Sequence, residues 1–403
     1  MRPPMLRRDL LAGLSGFAVV MGGGAAWAQN RQTPTSAPAA SSSPRFDRIL
    51  VLVELRGGND GLNTLVPYAD PAYRPARQGL AVARERVLQL DERVGLNAPL
   101  EPLMDSWKAR DLAILQGVGY PYPNRSHFRS IEIWDTASAA SQTLSEGWLA
   151  QAFAGVTRPA DRRIDSVVID TNALPATGGD LHTIVMQDAE NFINQAKAMR
   201  ETGMRPPTTN PALAHILKVR AETHAASLGL AERMKGAPSQ AKPYGEGPLA
   251  NQLELATRIL LARVPVLAVK VALGGFDTHA GQRETHERLL GQLGRGLATL
   301  RHNLIAGGRW NDVMVMTYTE FGRRVKPNAS GGTDHGTSSP QFVMGGAVKG
   351  GLHGAYPSLA DLQDGDLKHT IDFRNVFGTV AKRWWGLNRD FGVRQPQTLS
   401  FIA

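Results

Sequence analysis

Five side chains in two stretches of this chain have the chemistry to ligate a metal. Asp277 and His279 lie in Gly275-Phe276-Asp277-Thr278-His279. Glu320, Asp334 and His335 lie in the segment from Glu320-Phe321-Gly322-Arg323 to Gly332-Thr333-Asp334-His335-Gly336. All are hard or borderline donors, and each group follows an apolar run of strand character. In open α/β sheets ligands bind beyond the carboxyl ends of strands, so these loops stand where a site is built. An isolated Asp-x-His is also what a capping aspartate beside a surface histidine gives; the later Glu and Asp-His favour metal binding. Asp60, in Asn59-Asp60-Gly61, ends another apolar run and extends the expected ligand set, although Asn-Asp-Gly is turn chemistry in its own right. His286, early in the helix that follows, reads as solvent-facing.

A hydrolytic site also needs an attacking group. Ser126 stands at the start of a helical stretch, where the helix dipole and a nearby metal would favour its alkoxide. The same position is an ordinary N-cap. Thr64 or a water molecule are the alternatives. Arg125, beside Ser126, and Arg323 are placed to hold an anionic oxygen. Beyond the first residues there is no Gly-x-Ser-x-Gly elbow, which disfavours a serine triad. The chain has no cysteine, so thiolate metal sites, iron–sulfur clusters and disulfides are excluded. Any metal is held by His, Asp and Glu, which suits one or two ions of Zn, Ca, Mg or Mn.

The elements that must position these residues follow from the pattern. Near-continuous apolar runs over 48–55, 112–115, 164–169, 264–272, 312–317 and 341–344 predict strands buried on both faces. Leu289, Leu293, Leu297, Leu300 and Leu304 recur at helical spacing, predicting an amphipathic helix over 283–305. Further helices are expected over 100–109, 128–137, 249–262 and 373–385. Residues 171–247, with helical stretches over 188–201 and 211–235 broken by Pro/Gly-rich joints, read as a helical insertion or cap. Strand–helix alternation predicts a three-layer α/β/α sandwich around a mixed, mostly parallel sheet.

The amino-terminal region is expected to lie outside that fold. Arg7-Arg8, a weakly apolar run from Leu10 to Trp27 and Ala26-Trp27-Ala28 predict a twin-arginine export signal over 1–28. Gly22-Gly23-Gly24 interrupts a run already short for a membrane span. Residues 29–45, rich in Pro, Ser and Ala, read as a disordered linker, leaving 46–403 as one α/β domain. The location implied is periplasmic or secreted. The net charge of +9 is scattered, with no aromatic-interleaved basic stripe, so nucleic acid is not an expected partner.

Leu55-Arg56-Gly57-Gly58-Asn59-Asp60-Gly61-Leu62-Asn63-Thr64, Arg125-Ser126-His127-Phe128, Gly275-Phe276-Asp277-Thr278-His279, Glu320-Phe321-Gly322-Arg323, Gly332-Thr333-Asp334-His335-Gly336 and Asp372-Phe373-Arg374 together resemble the DUF1501 family. That family is grouped with the alkaline phosphatase/sulfatase superfamily. The resemblance implies an alkaline phosphatase-like sandwich, two divalent metals and a nucleophile at Ser126. Asp60 resembles the first-strand carboxylate, Asp277 and His279 the Asp/His pair before a long helix, and His335 the late histidine ligand. The chain departs from the superfamily in the tight Asp-x-His spacing and in Phe321, where a second histidine is usual. A site richer in oxygen would lean from Zn toward Ca, Mg or Mn. The expected activity is metal-dependent cleavage of a small phosphate or sulfate ester. The alternative is a non-catalytic exported protein that uses the fold for envelope binding or a structural role.

Overall fold

The computed structural model describes residues 19–20, 43–159, 162–188, 191–192, 194 and 210–403. Apart from Val19–Val20, the expected export signal and nearly all of the linker lie outside them, as does most of the helical stretch over 188–201.

One large sheet carries the molecule. Its strands are β1 (Ile49–Leu55), β2 (Leu112–Gly119), β3 (Ser166–Val168), β4 (Thr183–Val185), β5 (Ala268–Leu273), β6 (Val313–Tyr318), β7 (Ser339–Met344), β8 (Gly351–His353) and β9 (Ile371–Asp372). They run in the order β4-β3-β5-β1-β6-β7-β2-β8, with β9 also on β2. Every pairing along that path is parallel except the two made by β7. The segment Val19–Val20 pairs antiparallel with β4 at the outer edge. Among the described residues no helix is long and apolar enough to cross a membrane.

β1 shows why the sheet sits in the middle. All seven of its residues are buried, and its side chains alternate between two cores as the pleat requires. Ile49, Val51, Val53 and Leu55 join one apolar cluster with helices over Pro248–Leu261 and Gln282–Ala306, including Leu289, Leu293, Leu297, Leu300 and Leu304. Leu50 and Leu52 join the opposite cluster with Trp134, Trp148, Phe373 and Phe377 from helices His127–Thr136, Trp148–Phe153 and Phe373–Thr379. Each leucine so buried contributes about 1.5–3 kcal/mol. Two helical layers around a mixed sheet are the α/β/α sandwich read from the sequence.

Three expectations need amendment. Residues 171–247 are not wholly a helical insertion, because Thr183–Val185 is a strand of the main sheet; three residues are too short to display a period. A helix does span Pro211–Lys235. The closing helix changes pitch, running α over Phe373–Thr379 and then as a π-turn over Val380–Trp384. The helix expected over 128–137 starts one residue earlier, at His127, and leaves Phe128 outside the core. Phe128 is 89% exposed, whereas Ser130 and Trp134 are buried.

The topology gathers the loops that matter. β1, β2, β5 and β6 are mutually parallel, so their carboxyl ends share one edge of the sheet. β7 runs the other way and starts at that edge, so the whole connection from Glu320 to Ser338 lies there too.

Candidate metal centre

At this edge three histidines from three loops point the same nitrogen at one carboxylate. His127 opens its helix just beyond the loop after β2, Asp277 and His279 follow β5, and His335 lies in the β6–β7 connection. Asp277 Oδ2 lies 3.3 Å from His127 Nε2. Asp277 Oδ1 lies 3.0 Å from His279 Nε2 and 3.2 Å from His335 Nε2. The two Nε2 atoms of His279 and His335 stand 2.9 Å apart. His127, Asp277 and His335 can each present a ligand atom with all three within 4.8 Å of one another.

Each imidazole is fixed from behind. Nδ1 of His127 meets Glu320 Oε1 at 2.9 Å, Nδ1 of His279 meets Asp334 Oδ1 at 3.1 Å, and Nδ1 of His335 meets the carbonyl of Arg125 at 2.7 Å. An oxygen acceptor at Nδ1 keeps the proton on that nitrogen, so each Nε2 carries a lone pair. All three nitrogens stand 3.0–3.3 Å from the Asp277 carboxylate, and those of His279 and His335 stand 2.9 Å from each other. Mutual repulsion makes this arrangement unfavourable unless a cation or proton stands among them. Histidines that ligate metals are held in this way, with the other ring nitrogen on a carboxylate or carbonyl.

The electrostatics fit the geometry at Asp277 and His335 and run against it at His127. Burial works to raise the Asp277 carboxyl, but the Arg323 charge and hydrogen bond, with His335, outweigh it and hold the group below the usual carboxylate range. Burial pushes His335 down, toward the neutral form that a ligand needs. The hydrogen bond that His127 donates to Glu320 pushes the ring up, toward the protonated form. The Asp334 carboxyl is lowered by hydrogen bonds from Asn328 and His279.

Local sequence explains the positioning. Ser130 and Trp134 lie three and seven residues after His127, on the same helix face, and both donate to the carbonyl of Glu320. Gly57, at φ +112°, brings its N–H within 2.8 Å of Glu320 Oε1. A Cβ there would overlap the backbone of Asp277, so only glycine lets the β1 and β5 loops touch. Phe321 supplies an apolar floor, its ring 4.6 Å from His335 and 5.0 Å from His127.

Of the residues expected to bind metal, Asp277, His279 and His335 converge with their ligand atoms. Glu320 and Asp334 come to the same place in a different role, orienting His127 and His279. Asp60 does not join them. It is 1% exposed and its Oδ2 is held by Arg77 and Gln282, while Oδ1 caps a short helix through Leu62 N at 3.2 Å. Arg77 outweighs the effect of burial and keeps its carboxyl low. His286, expected at the surface, is 1% exposed and bonds Asn59 Oδ1 at 3.0 Å, and burial lowers its pKa to about 4. Thr64 is buried, with its hydroxyl on Asn59 and the Asp60 carbonyl, and is not accessible for attack. Ser126 occupies the N-cap position, but its exposed side chain caps nothing and meets no base. Arg125 is ion-paired with Asp366, and Arg323 with Asp277 at 2.7 Å, so neither guanidinium is free as expected. His127 was missed. Its spacing to Ser130 and Trp134 was the available signal.

Fold and donor set together define an α/β/α protein with a candidate three-histidine, one-carboxylate metal centre. The chain belongs to the family described as Protein of unknown function (DUF1501), whose profile matches residues 88–395, more than half of its length. No curated protein matches it in sequence. Solved structures similar over most of the chain include the lipoteichoic acid synthase LtaP from Listeria monocytogenes, at 9% identity and TM-score 0.38, covering 88% of this chain and 78% of that one. The C-terminal periplasmic domain of EcEptC from Escherichia coli matches at 11% identity and TM-score 0.35, covering 89% and 86%. The alkaline phosphatase of the Antarctic bacterium TAB5 matches at 10% identity and TM-score 0.34, covering 76% and 93%. These scores are low, and the architecture rests on the strand order and layers themselves.

Proposed function

We propose that this protein is an exported hydrolase that uses one divalent ion to cleave a phosphate or sulfate ester. The observation that carries the reading is the convergence of three Nε2 lone pairs on Asp277, with every Nδ1 already held by an oxygen. His127, Asp277, His279 and His335 would hold the ion. The set is richer in nitrogen than the sequence implied, which favours a borderline metal such as Zn over Ca or Mg. A divalent ion there supplies positive charge to an ester oxygen and lowers the pKa of an adjacent hydroxyl.

The chain's own residues do the rest. Glu320, Asp334 and the Arg125 carbonyl keep the Nδ1 protons in place, and Arg323 holds the Asp277 carboxylate in line. The attacking group in this reading is Ser126, exposed at the amino end of its helix, with water as the alternative. The helix dipole favours its alkoxide. Arg7-Arg8 supports export through the twin-arginine route to the periplasm or beyond.

A non-catalytic exported protein is the rival reading. It is favoured by the pairing of Arg125 and Arg323 with carboxylates and by the lack of a base beside Ser126. Metal analysis of the purified protein, followed by turnover of aryl phosphate and aryl sulfate by wild type and Ser126→Ala, separates the two. We expect one ion per chain and turnover that Ser126→Ala abolishes; turnover that survives assigns the attack to water. A folded, metal-free protein sinks the hydrolase reading, and metal without turnover of either ester favours the rival.

A further inference from the structure

Beside the histidine cluster opens a cleft of about 320 Å³, lined among others by Tyr120, Tyr122, Arg125, Gln363, Lys368 and His369. It is joined to the cluster through Arg125, whose side chain lines the cleft while its carbonyl takes the His335 Nδ1 proton at 2.7 Å.

The cleft has polar groups whose cations are matched, and one exposed carboxylate, Asp364, that is not ion-paired among the described residues. Arg125 is paired with Asp366 and Lys368 with Asp361. His369 is half-buried, and burial lowers its pKa, leaving it neutral near pH 7. Such a lining has hydrogen-bonding groups for hydroxyls and no unmatched cation for a second anion.

At the rim stands Tyr122, between Pro121 and Pro123 and 87% exposed. Its φ is +56°, a conformation that costs a non-glycine residue on the order of 1–3 kcal/mol and that clusters at ligand sites. The loop that presents it is fixed. Tyr120 Oη accepts from Asn124 N at 3.0 Å and lies 2.9 Å from Ser130 Oγ, and Arg125 is tied at the far end by Asp366. Flanking prolines stiffen it further. A tyrosine held this way offers a rigid, amphipathic face at little entropic cost, and no intramolecular packing accounts for the strain at so exposed a ring.

We propose that the cleft binds the alcohol portion of the ester, and that this alcohol is an uncharged hydroxylated ring, a sugar residue, stacked on Tyr122. Hydroxyls meet the polar lining, the C–H face meets the ring, and the anionic group lies toward the histidine cluster. The inference rests on the hydrolase reading, and its test can fail separately.

The metal-loaded full chain is assayed on the phosphate and sulfate monoesters of glucose, galactose and N-acetylglucosamine, with the glycerol esters as acyclic references. Wild type should prefer at least one ring ester in kcat/KM by about tenfold, a modest binding increment. Tyr122→Ala and Tyr122→Gly should shrink that ratio below about threefold, while Tyr122→Gly keeps or raises the melting temperature because glycine accepts the positive φ. Saturation-transfer NMR with the three free sugars and metal-free protein gives a readout independent of chemistry. Ring-proton signals that vanish in Tyr122→Ala support the cleft assignment even if no ester is turned over, in which case only the hydrolase reading fails. A ratio unchanged by Tyr122→Ala, or no saturation transfer from any of the three sugars, overturns the proposal.

Discussion

Two polar clusters meet on either side of Phe276, and the difference between them lies in how each is neutralised. His286 packs edge-on to the Phe276 ring at 5.9 Å, and Asp277 is the next residue in the chain. On the His286 side, Asp60 is matched by Arg77 and Gln282, and Arg77 in turn donates to the carbonyls of Arg324 and Val325 at 2.9 and 3.1 Å. The side chains of Asp60 and Arg77 are essentially sealed from solvent. On the other side Asp277 is 46% exposed, His279 45% and His127 33%, and the histidine lone pairs face one another. Both clusters come from loops at the same sheet edge and use the same residue types. Each carboxylate meets a guanidinium, Arg77 on Asp60 and Arg323 on Asp277; the second cluster differs in leaving its imidazole nitrogens open to a cation from outside. A carboxylate at a strand end therefore does not by itself mark a metal site, and the exposed histidines around Asp277 are what set the two loops apart.

The sharpest test of the closed cluster is Arg77→Met. Removing one partner of a buried pair strands the other charge, at a cost of about 3–5 kcal/mol. The denaturant midpoint should fall accordingly, while the folded fraction still binds one ion per chain. Uptake of a second ion by the variant would mean that Asp60 is a ligand site blocked by Arg77. An unchanged midpoint would mean that the pair contributes little.

Next in size is Asp277→Asn, which breaks the open cluster. Asparagine retains an oxygen for Arg323 but removes the charge that the three Nε2 atoms surround. Loss of a direct ligand should weaken metal binding by at least about 100-fold, the upper end of what orienting partners contribute. Competition with a chromogenic chelator measures it. Equal affinity in wild type and variant would remove Asp277 from the ligand set and undo the contrast with Asp60.

How far these roles were legible in the sequence depends on the kind of contact. The sheet and its two layers were readable because β1, β5 and β6 are near-continuous apolar runs, broken only by residues such as Glu54 and Lys270, and the Gln282–Ala306 helix carries a regular leucine stripe. That Asp277, His279 and His335 gather at one edge follows from their positions after parallel strands. His286 is in phase with Leu289 and Leu293, and that period, rather than its polarity, sets its burial. The Asp60–Arg77 pair was not readable, since nothing in a loop composition says which arginine closes onto which carboxylate. Nor does sequence distinguish a carboxylate that binds metal from one that binds a histidine. Asp277 and Glu320 each lie within about 3 Å of an imidazole nitrogen, and only the nitrogen facing them separates the roles.

That last distinction yields the smallest expected effect. Glu320 is 4% exposed, and its Oε1 takes the Gly57 N–H at 2.8 Å as well as His127 Nδ1. Thr319 Oγ1 lies 3.2 Å from its Oε2. Glutamine keeps an acceptor for the Gly57 and His127 donors and loses mainly the negative charge behind the imidazole. As an orienting partner, Glu320→Gln should weaken metal binding by about tenfold, at the low end for such groups, and leave the stoichiometry at one ion. A loss as large as that of Asp277→Asn would make Glu320 a direct ligand and shift the centre toward oxygen donors. No loss at all would mean that the helix contacts through Ser130 and Trp134 suffice to aim His127.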